Sequence, residues 1–419
     1  MKKHIILIIF ASFLVLTVTD TKAYAEKSAS NATSKPQVTS IPKTTNRPKA
    51  TNSPKTEAKS KENGSDAYVD DLLNDVDYSD IEKVIDEVMG NDKEFDFSGY
   101  VSKLAKGEEG LSVTNVLKEL ASAFFGEVLT NKAVLLQLLA IAVLAAVFTN
   151  FANIFKNNQV SETSFYITYL LMFSILTSSF YMATKVAANV LDALLSFMKV
   201  LMPTYMLSIA VSTGAKTSLF YYEATLAIFT VIDFILIKMI LPLINIYFVL
   251  SLANYVSKED MLSKLAELIE TIINWTLKTL LAFVIGFNAI QGLIVPMADK
   301  VKRSAFIKGT SVIPGVGNAI NGVTETVLGA SVVVKNAIGV AGLVVILTIC
   351  IVPLVKLACF ALTYKLGSAI VQPISDKRIV GCLSTASNSA KLLLSTVFIA
   401  LLLFMLSIAL IAASTNLSM

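Results

Sequence analysis

The sequence predicts an all-α, polytopic helical membrane protein with a signal peptide and a small exported N-terminal helical segment. Long apolar runs follow one another from Ala133 to Ala413, and several stay uncharged for longer than the roughly 20 residues that a helix needs to cross a bilayer. Of the 419 residues, 54% are hydrophobic, and the mean hydropathy is +0.67. Soluble domains contain roughly 45–50% apolar residues and interrupt their apolar runs with charges. A single buried soluble core therefore does not explain the composition.

Residues 1–25 are typical of a secretory signal peptide. Lys2 and Lys3 precede an apolar run, Ile5 to Val18, that is short for a membrane span. Ala23-Tyr24-Ala25 then supplies the small-x-small pattern that a signal peptidase reads. We expect cleavage after Ala25, and the alternative is an uncleaved first anchor. In either case the next segment is expected to be exported.

Residues 26–64 are predicted to form a disordered tether. This segment is rich in Lys, Thr, Ser, Pro and Asn, and prolines recur every six residues from Pro36 to Pro54. With so few large apolar side chains, the segment cannot bury enough surface to offset the entropy lost on ordering. Because no aromatic side chains are interleaved with its lysines, attraction to an anionic surface is favoured over nucleic-acid binding. We expect no nucleic acid partner.

Residues 65–130 are predicted to form an exported, acidic module of amphipathic helices. Its apolar residues recur at helical spacing between many Asp and Glu side chains. A further amphipathic stretch, Leu111 to Leu129, is expected to lie along the membrane surface. The apolar positions of the two short helices are Leu72, Leu73, Val76, Ile81, Val84, Ile85 and Val88.

Residues 131–415 are predicted to form a multi-pass membrane domain with seven to nine crossings. Charges and prolines divide its apolar runs, and Leu219 to Val256 is long enough for one crossing or two. The other predicted spans are Ala133–Phe155, Ser164–Thr184, Val186–Ser212, Thr271–Met297, Ser311–Val334, Asn336–Ile374 and Leu392–Ala413.

Two short basic loops predict the orientation of the domain. Lys300 to Lys308 and Asp376 to Lys391 each carry several Lys or Arg, and such loops remain on the cytoplasmic side. Both loops can be cytoplasmic only if an even number of crossings separates them. We therefore expect Ser311–Val334 and Asn336–Ile374 to cross once each.

The sequence lacks the residue types that most catalytic and metal sites need. Its one histidine, His4, lies in the predicted signal peptide, which excludes His-dependent triads and His-ligated zinc from the mature chain. Cys350, Cys359 and Cys382 lack CxxC spacing and are expected to be small core residues. We predict a non-enzymatic protein without metal or cofactor.

Ionisable residues inside the apolar runs form a candidate polar membrane face. Lys185, Asp192 and Lys199 recur at seven-residue intervals and therefore share one helix face. A charge at the bilayer centre costs at least ~2.5–3.5 kcal/mol on insertion scales, so these groups must face protein or water, pair, or extend to the interface. The face either lines a pathway or docks a partner, or it holds an interhelical salt bridge and snorkelling lysines. The remaining candidates are Glu223, Asp233 and Glu325.

Glycines predict a second feature near the start of the Ser311–Val334 run. Gly315, Gly322 and Gly329 are seven residues apart and would give a helix a smooth face. Such a face ordinarily allows close helix packing. The nearby Pro314 leaves open a broken helix that lines a cavity, as in transporters.

The C-terminal two thirds of the chain resembles the stage III sporulation protein AE family of endospore-forming bacteria. The resemblance covers roughly residues 130 to 415 and is carried by Gly309-Thr-Ser-Val-Ile-Pro-Gly315-Val-Gly-Asn, Gln372-Pro373-Ile374-Ser-Asp376 and Cys382-Leu-Ser-Thr-Ala-Ser. It implies a membrane subunit of the transenvelope channel, or feeding tube, that connects mother cell and forespore and is required for forespore development.

The resemblance also implies partners and a location. The partners are the lipid bilayer and other membrane and ring-forming subunits, and an ATPase subunit is compatible with it. The location is the mother-cell membrane around the forespore, with the N-terminal module exported. The alternatives are a stand-alone secondary transporter or permease and an intramembrane hydrolase, for which the sequence shows no motif.

Overall fold

The computed structural model describes residues 68–89, 96–108, 158–213, 215–256, 261–310, 316–373 and 375–416, together with positions 126, 136, 140 and 143. All of them belong to one compact unit, Glu57–Met419. The predicted signal peptide and tether lie outside the described residues, as does nearly all of Leu111–Leu129 and Ala133–Phe155. The described residues contain no strand, and the predicted helical fold class is confirmed.

Three short helices precede the membrane helices. They are α1 (68–74), α2 (Ser79–Met89) and α3 (Phe97–Ala105). The Asp96 carboxylate caps α3 by accepting a hydrogen bond from the Gly99 N–H at 2.7 Å. Ile81, Ile85 and Val101 are fully buried in the same apolar cluster as the membrane helices. The apolar positions of this acidic segment therefore pack against the rest of the chain.

The remaining described elements are long helices that follow one another with short connections. They are α4 (Asn158–Thr213), α5 (Ala215–Asp233), a π-helix (Phe234–Ile240), α6 (Leu241–Asn254), α7 (Ser263–Thr310), α8 (Val316–Val371) and α9 (Lys377–Asn416). The chain stays helical from Ala215 to Asn254, which favours one crossing over two for this segment. Within the described residues, five segments are long and apolar enough to cross a membrane.

Two divisions predicted from charge are wrong. Ser164–Thr184 and Val186–Ser212 belong to the single helix α4, and helix α8 runs without a break through the predicted boundary between Val334 and Asn336. Both boundaries were placed at a lysine, but lysine is a good helix former and does not end a helix. Lys185 is exposed in mid-helix, whereas Lys335 is completely buried. Where the sequence predicts seven or eight crossings, the described residues contain five candidate spans.

The two basic segments that predict the orientation are not loops in the structure. Lys300 to Lys308 lie within α7, and Lys377 to Lys391 lie within α9. One continuous helix, α8, lies between them in place of the two expected crossings. The parity argument that puts both segments on the cytoplasmic side therefore fails, and the side on which each segment lies stays a prediction.

Helix α9 is the centre of the bundle, and α4, α6, α7 and α8 all pack against it. Small side chains dominate the N-terminal half of α9, where Ala386, Ser389 and Ala390 are buried. Small residues allow helix backbones to approach closely in membranes. At Gly381, an added Cβ would collide with the ring of Tyr255 from the neighbouring segment.

Side-chain hydrogen bonds fix the antiparallel register of α8 against its neighbours. The Ser387 hydroxyl of α9 donates to the Ala361 carbonyl of α8 at 2.8 Å. On the other side of α8, the Tyr364 hydroxyl donates to the Ser179 hydroxyl of α4 at 2.7 Å. Polar contacts of this kind hold membrane helices together where water is absent.

The close approach of α4 to α8 depends on two further glycines. A Cβ at Gly342 would lie 2.7 Å from Leu201 Cδ2, and one at Gly339 would lie 3.2 Å from Tyr205 Oη. The sequence places these glycines after the predicted stripe. They provide close packing within the chain. The three cysteines are free and buried, which confirms the expectation that they are small core residues.

Replacement of Gly342 by Leu is expected to destabilise the bundle by about 1–3 kcal/mol, because the new side chain overpacks the α4–α8 interface. Gly329→Leu, on the same helix, is the matched control, since nothing lies within 4 Å of a Cβ added there. Thermal unfolding of the detergent-solubilised proteins measures the difference. Equal melting temperatures for the two variants would contradict the packing described for Gly342.

Topology reporters fused after Arg303 and after Arg378 are expected to lie on opposite sides of the membrane. A reporter active only outside the cytoplasm and one active only inside should give opposite results at the two positions. The reason is that the one helix α8 separates them. Identical results at both positions would require a second crossing between them.

Candidate functional site

The most unusual surface of the described residues is a polar face on the outside of α4. Seven of the exposed polar residues of this helix recur at intervals of three, four or seven residues. Such spacing places them in one line along the helix. We call this line the α4 polar stripe, and it consists of Ser174, Ser178, Lys185, Asn189, Asp192, Ser196 and Lys199.

The opposite face of α4 is apolar and points into the bundle. Leu176, Ala187, Leu194, Met198 and Leu201 are each fully buried. The outer face of α4 is mixed: exposed apolar side chains, among them Leu170, Tyr181 and Leu207, accompany the polar ones, and the polar side chains are densest from Lys185 to Lys199. Yet α4 carries a segment, Phe165–Ala210, that is long and apolar enough to cross a membrane.

The charged groups of the stripe have no ion pair or hydrogen bond with another described residue. Lys185 and Asp192 lie about 10.5 Å apart along the axis at 1.5 Å per residue, too far for a direct contact along the helix. Polar side chains inside the bundle behave differently. The Thr184 hydroxyl donates to Asn245 Oδ1 at 3.0 Å, and the Tyr247 hydroxyl donates to Glu270 Oε2 at 3.1 Å. These two interior polar groups are thus paired across helices, whereas the charged groups of the stripe face outward without a partner among the described residues.

The hydrocarbon core of a membrane cannot solvate the charged side chains of such a face. The stripe runs for about 38 Å from Ser174 to Lys199 at 1.5 Å per residue, longer than the roughly 30 Å hydrocarbon core. Each ionised side chain at the bilayer centre costs at least ~2.5–3.5 kcal/mol on insertion scales. The α4 polar stripe therefore requires water or polypeptide from outside the described residues beside it.

Pro203 removes one backbone hydrogen-bond donor next to the same face. It is exposed inside α4, and proline has no N–H to donate to the carbonyl four residues earlier. That carbonyl belongs to Lys199, the last residue of the stripe. A freed carbonyl at membrane depth must be satisfied by water or by a polar group. The backbone and the side chains of α4 thus both require water or a polar group beside this surface.

The exposed face of α7 has the apolar composition expected of a surface in contact with lipid. It carries large apolar side chains, among them Leu268, Ile272, Trp275 and Phe283, with exposed fractions of 42–75%. Lys278 lies among them and is exposed, and a single lysine on an apolar face can extend its ammonium group to the interface. The contrast between α7 and α4 identifies two outer surfaces with different surroundings.

The other predicted polar residues are not part of the stripe. Glu223 and Asp233 lie on α5, where Glu223 is exposed and Asp233 is half-buried. Glu325 lies in α8, and its side chain is outside the described residues. Only Lys185, Asp192 and Lys199 are therefore brought together in one line by the structure.

The predicted glycine stripe is described at two of its three positions. Gly322 and Gly329 lie within the continuous helix α8, and Gly329 is exposed. Gly315 lies outside the described residues, and so does the side-chain environment of Gly322. The packing role of this stripe stays a prediction, and the close packing seen within the chain is at Gly339 and Gly342.

Sequence reasoning missed four members of the α4 polar stripe: Ser174, Ser178, Asn189 and Ser196. Their signal is present in the sequence, since they occupy the heptad positions between and before the three charged residues. Uncharged polar residues are common in membrane helices, so the charges alone attracted attention. The full line of polar residues is apparent only when the exposed polar positions of α4 are compared with its buried apolar positions.

Comparison with known proteins gives a consistent result for the C-terminal three quarters of the chain. A family model described as stage III sporulation protein AE matches residues 95–415. The stage III sporulation protein AE of Bacillus subtilis (strain 168) is 27% identical over 323 residues, which cover 77% of this chain and 81% of that protein. No solved structure matches the chain.

Neutralisation of Asp192 is expected to leave the stability of the solubilised chain nearly unchanged, within about 0.5 kcal/mol, because exposed groups without partners contribute little. Asn245→Leu removes the acceptor of the Thr184 hydrogen bond and is expected to cost roughly 0.6–1.7 kcal/mol. Thermal unfolding of Asp192→Asn and Asn245→Leu in detergent tests the difference. A larger loss in Asp192→Asn would mean that the stripe stabilises the isolated chain.

Proposed function

The chain belongs to the stage III sporulation protein AE family, and we propose that it is a non-enzymatic membrane subunit of the transenvelope channel that connects mother cell and forespore. In this proposal the protein resides in the mother-cell membrane around the forespore, and its N-terminal module is exported. It acts with other membrane and ring-forming subunits, and the α4 polar stripe faces the aqueous path of the assembly. Forespore development depends on that path.

The single observation that carries the proposal is the position of the stripe. A face with three charged residues and one freed carbonyl lies on the outside of a membrane-crossing helix, where lipid cannot satisfy it. Rings of charged side chains line many ion pathways. A subunit that contributes one wall of a conduit needs a polar outer face of this kind.

The stripe also distinguishes the proposal from a stand-alone transporter. Substrate sites of secondary transporters lie between helices near the membrane midplane, inside the protein. Here the line of polar side chains is on the outer surface of the chain and lacks a second wall within the described residues. A wall supplied by other polypeptides fits an assembly. Solute uptake by the purified protein alone in lipid vesicles would favour the transporter.

Replacement of Lys199 by Gln is expected to lower the yield of heat-resistant spores while the amount of protein in the membrane stays near that of the parent. The reason is that Lys199 has no structural partner among the described residues but lies on the proposed path. Lys278→Gln is the matched control, because it removes an exposed lysine from the apolar face of α7. Spore counts and membrane immunoblots supply the measurements.

Three results with these variants would contradict the proposal. Full spore yield in Lys199→Gln, and likewise in Asp192→Asn, would overturn the role of the stripe in the path. A loss of protein from the membrane in both variants would point to a structural role, since an unpaired buried charge destabilises a protein. Equal loss of spores in Lys278→Gln would show a general effect of charge.

A further inference from the structure

We propose that α6, α7 and α9 form a binding site for one monovalent metal cation, Na⁺ or K⁺, around the Glu270 carboxylate. The site lies where these three helices meet, since α9 packs against both α6 and α7, and α6 packs against α7. The inference goes beyond the proposed function, because it involves neither the α4 polar stripe nor the partners of the chain.

Glu270 is an acidic side chain within a membrane-crossing segment. It belongs to Ser263–Phe287, the part of α7 that is long and apolar enough to cross a membrane, and it is half-buried. An ionised carboxylate at membrane depth is costly unless it is paired. None of the ion pairs between described residues includes Glu270. Its charge therefore needs another compensating group.

Three uncharged side chains with oxygen atoms gather beside this carboxylate. The Tyr247 hydroxyl of α6 donates to Glu270 Oε2 at 3.1 Å. The side chains of Ser251 in α6 and Asn388 in α9 lie next to the same hydroxyl. The junction thus offers carboxylate, hydroxyl and amide oxygens, and oxygen atoms of these kinds are the ligands that hard cations prefer.

The Ser251 hydroxyl points to a ligand at this junction. Ser251 is only 7% exposed, and its buried Oγ has no hydrogen-bond partner among the described residues. The buried hydroxyls of Thr396 and Ser407 instead donate to the carbonyl four residues earlier in their own helix. An unsatisfied buried hydroxyl is costly. Coordination of a cation by the Ser251 oxygen would remove this cost.

The charge of the site favours a monovalent cation. Ionised Glu270 contributes one negative charge, and the other three side chains are neutral. One Na⁺ or K⁺ ion therefore leaves the junction neutral, which surroundings of low dielectric constant favour. A divalent ion would leave an excess positive charge. Among the described residues, no group of three or more Asp, Glu, Cys or His side chains could hold a metal ion.

The site lies close to the end of α7, where an ion can arrive from water. Glu270 is seven residues from the start of α7 at Ser263, about 10.5 Å along the axis at 1.5 Å per residue. The ion pair of Lys264 and Glu267, which precedes it, is solvent-exposed. Asn388 is also exposed, so the junction opens toward the outside of the bundle.

Thermal unfolding of the purified full-length chain in detergent tests the site. NaCl or KCl replaces choline chloride at constant ionic strength, so that screening is unchanged and only the identity of the cation differs. We expect at least one of the two ions to stabilise the chain in a saturable manner. The melting temperature should rise by roughly 3–6 °C when the ion concentration is about 100 times its dissociation constant.

Two variants and a matched control connect this response to the junction. Glu270→Gln removes the negative charge at similar size and is expected to abolish the response. Ser251→Ala removes a hydroxyl without a partner among the described residues, so a merely structural role predicts no change. We expect it to raise the ion concentration at half-maximal stabilisation by roughly tenfold or more. Glu267→Gln alters an exposed carboxylate of the same helix and should respond as the parent does.

Three results would overturn the site. The first is an equal melting temperature of the parent chain in sodium, potassium and choline chloride. The second is a full response to the ion in Glu270→Gln or in Ser251→Ala. The third is stabilisation of the parent by acid without a response to either ion, which would mean that a proton neutralises Glu270. None of these results concerns the α4 polar stripe, so failure of the cation site is distinguishable from failure of the proposed function.

Discussion

Hydrocarbon cannot solvate polar groups, and this constraint governs how the chain is arranged. Inside the bundle, some polar side chains pair across helices, as Tyr364 does with Ser179, and others donate to a carbonyl of their own helix, as Thr396 does to Leu392. The outside of α7 carries large apolar side chains such as Trp275. The outside of α4 carries three charged side chains that have no partner among the described residues. Because exposed charges on membrane helices are costly, this face needs a polar neighbour beyond the described residues.

Packing against the central helix α9 positions the polar face of α4 on the outside of the bundle. Helix α9 presents buried small residues to its neighbours, so that α4, α6, α7 and α8 can all approach it. Each of them buries apolar side chains in this packing and keeps others exposed. Arg378, near the start of α9, lies 3.4 Å above the ring of Phe165 in α4, which ties the beginnings of these two helices together. The rotation of α4 is thereby fixed with its polar side outward.

A face that needs a polar neighbour is consistent with a protein that works inside an assembly. Family membership connects the chain to sporulation, and the geometry supplies a physical reason for partners. A chain that supplied hydrogen-bond or ion-pair partners for all of its own polar groups would need no other subunit beside it. The charged side chains of the stripe have no partner among the described residues, so water or polypeptide outside those residues must solvate them.

The sequence by itself determined the class of the protein. Composition and run length predict membrane helices, because the bilayer sets a minimum apolar length. The seven-residue spacing places Lys185, Asp192 and Lys199 on one face, since a helix repeats nearly every seven residues. Sequence reasoning also proposed where helices end, and it was wrong at Lys185 and Lys335. A charged side chain raises the free energy of inserting a residue into lipid. The continuity of a helix depends instead on backbone hydrogen bonds, which lysine does not interrupt.

Only the tertiary structure decided which way each face points. Lys185 and Lys335 look alike in the sequence, yet the first is exposed and the second is fully buried, because different neighbours pack around α4 and α8. Gly342 meets Leu201, whereas Gly329 meets open space. Helical periodicity fixes which residues share a face. The contacts with other helices, which are distant in the sequence, fix whether that face meets protein, lipid or water.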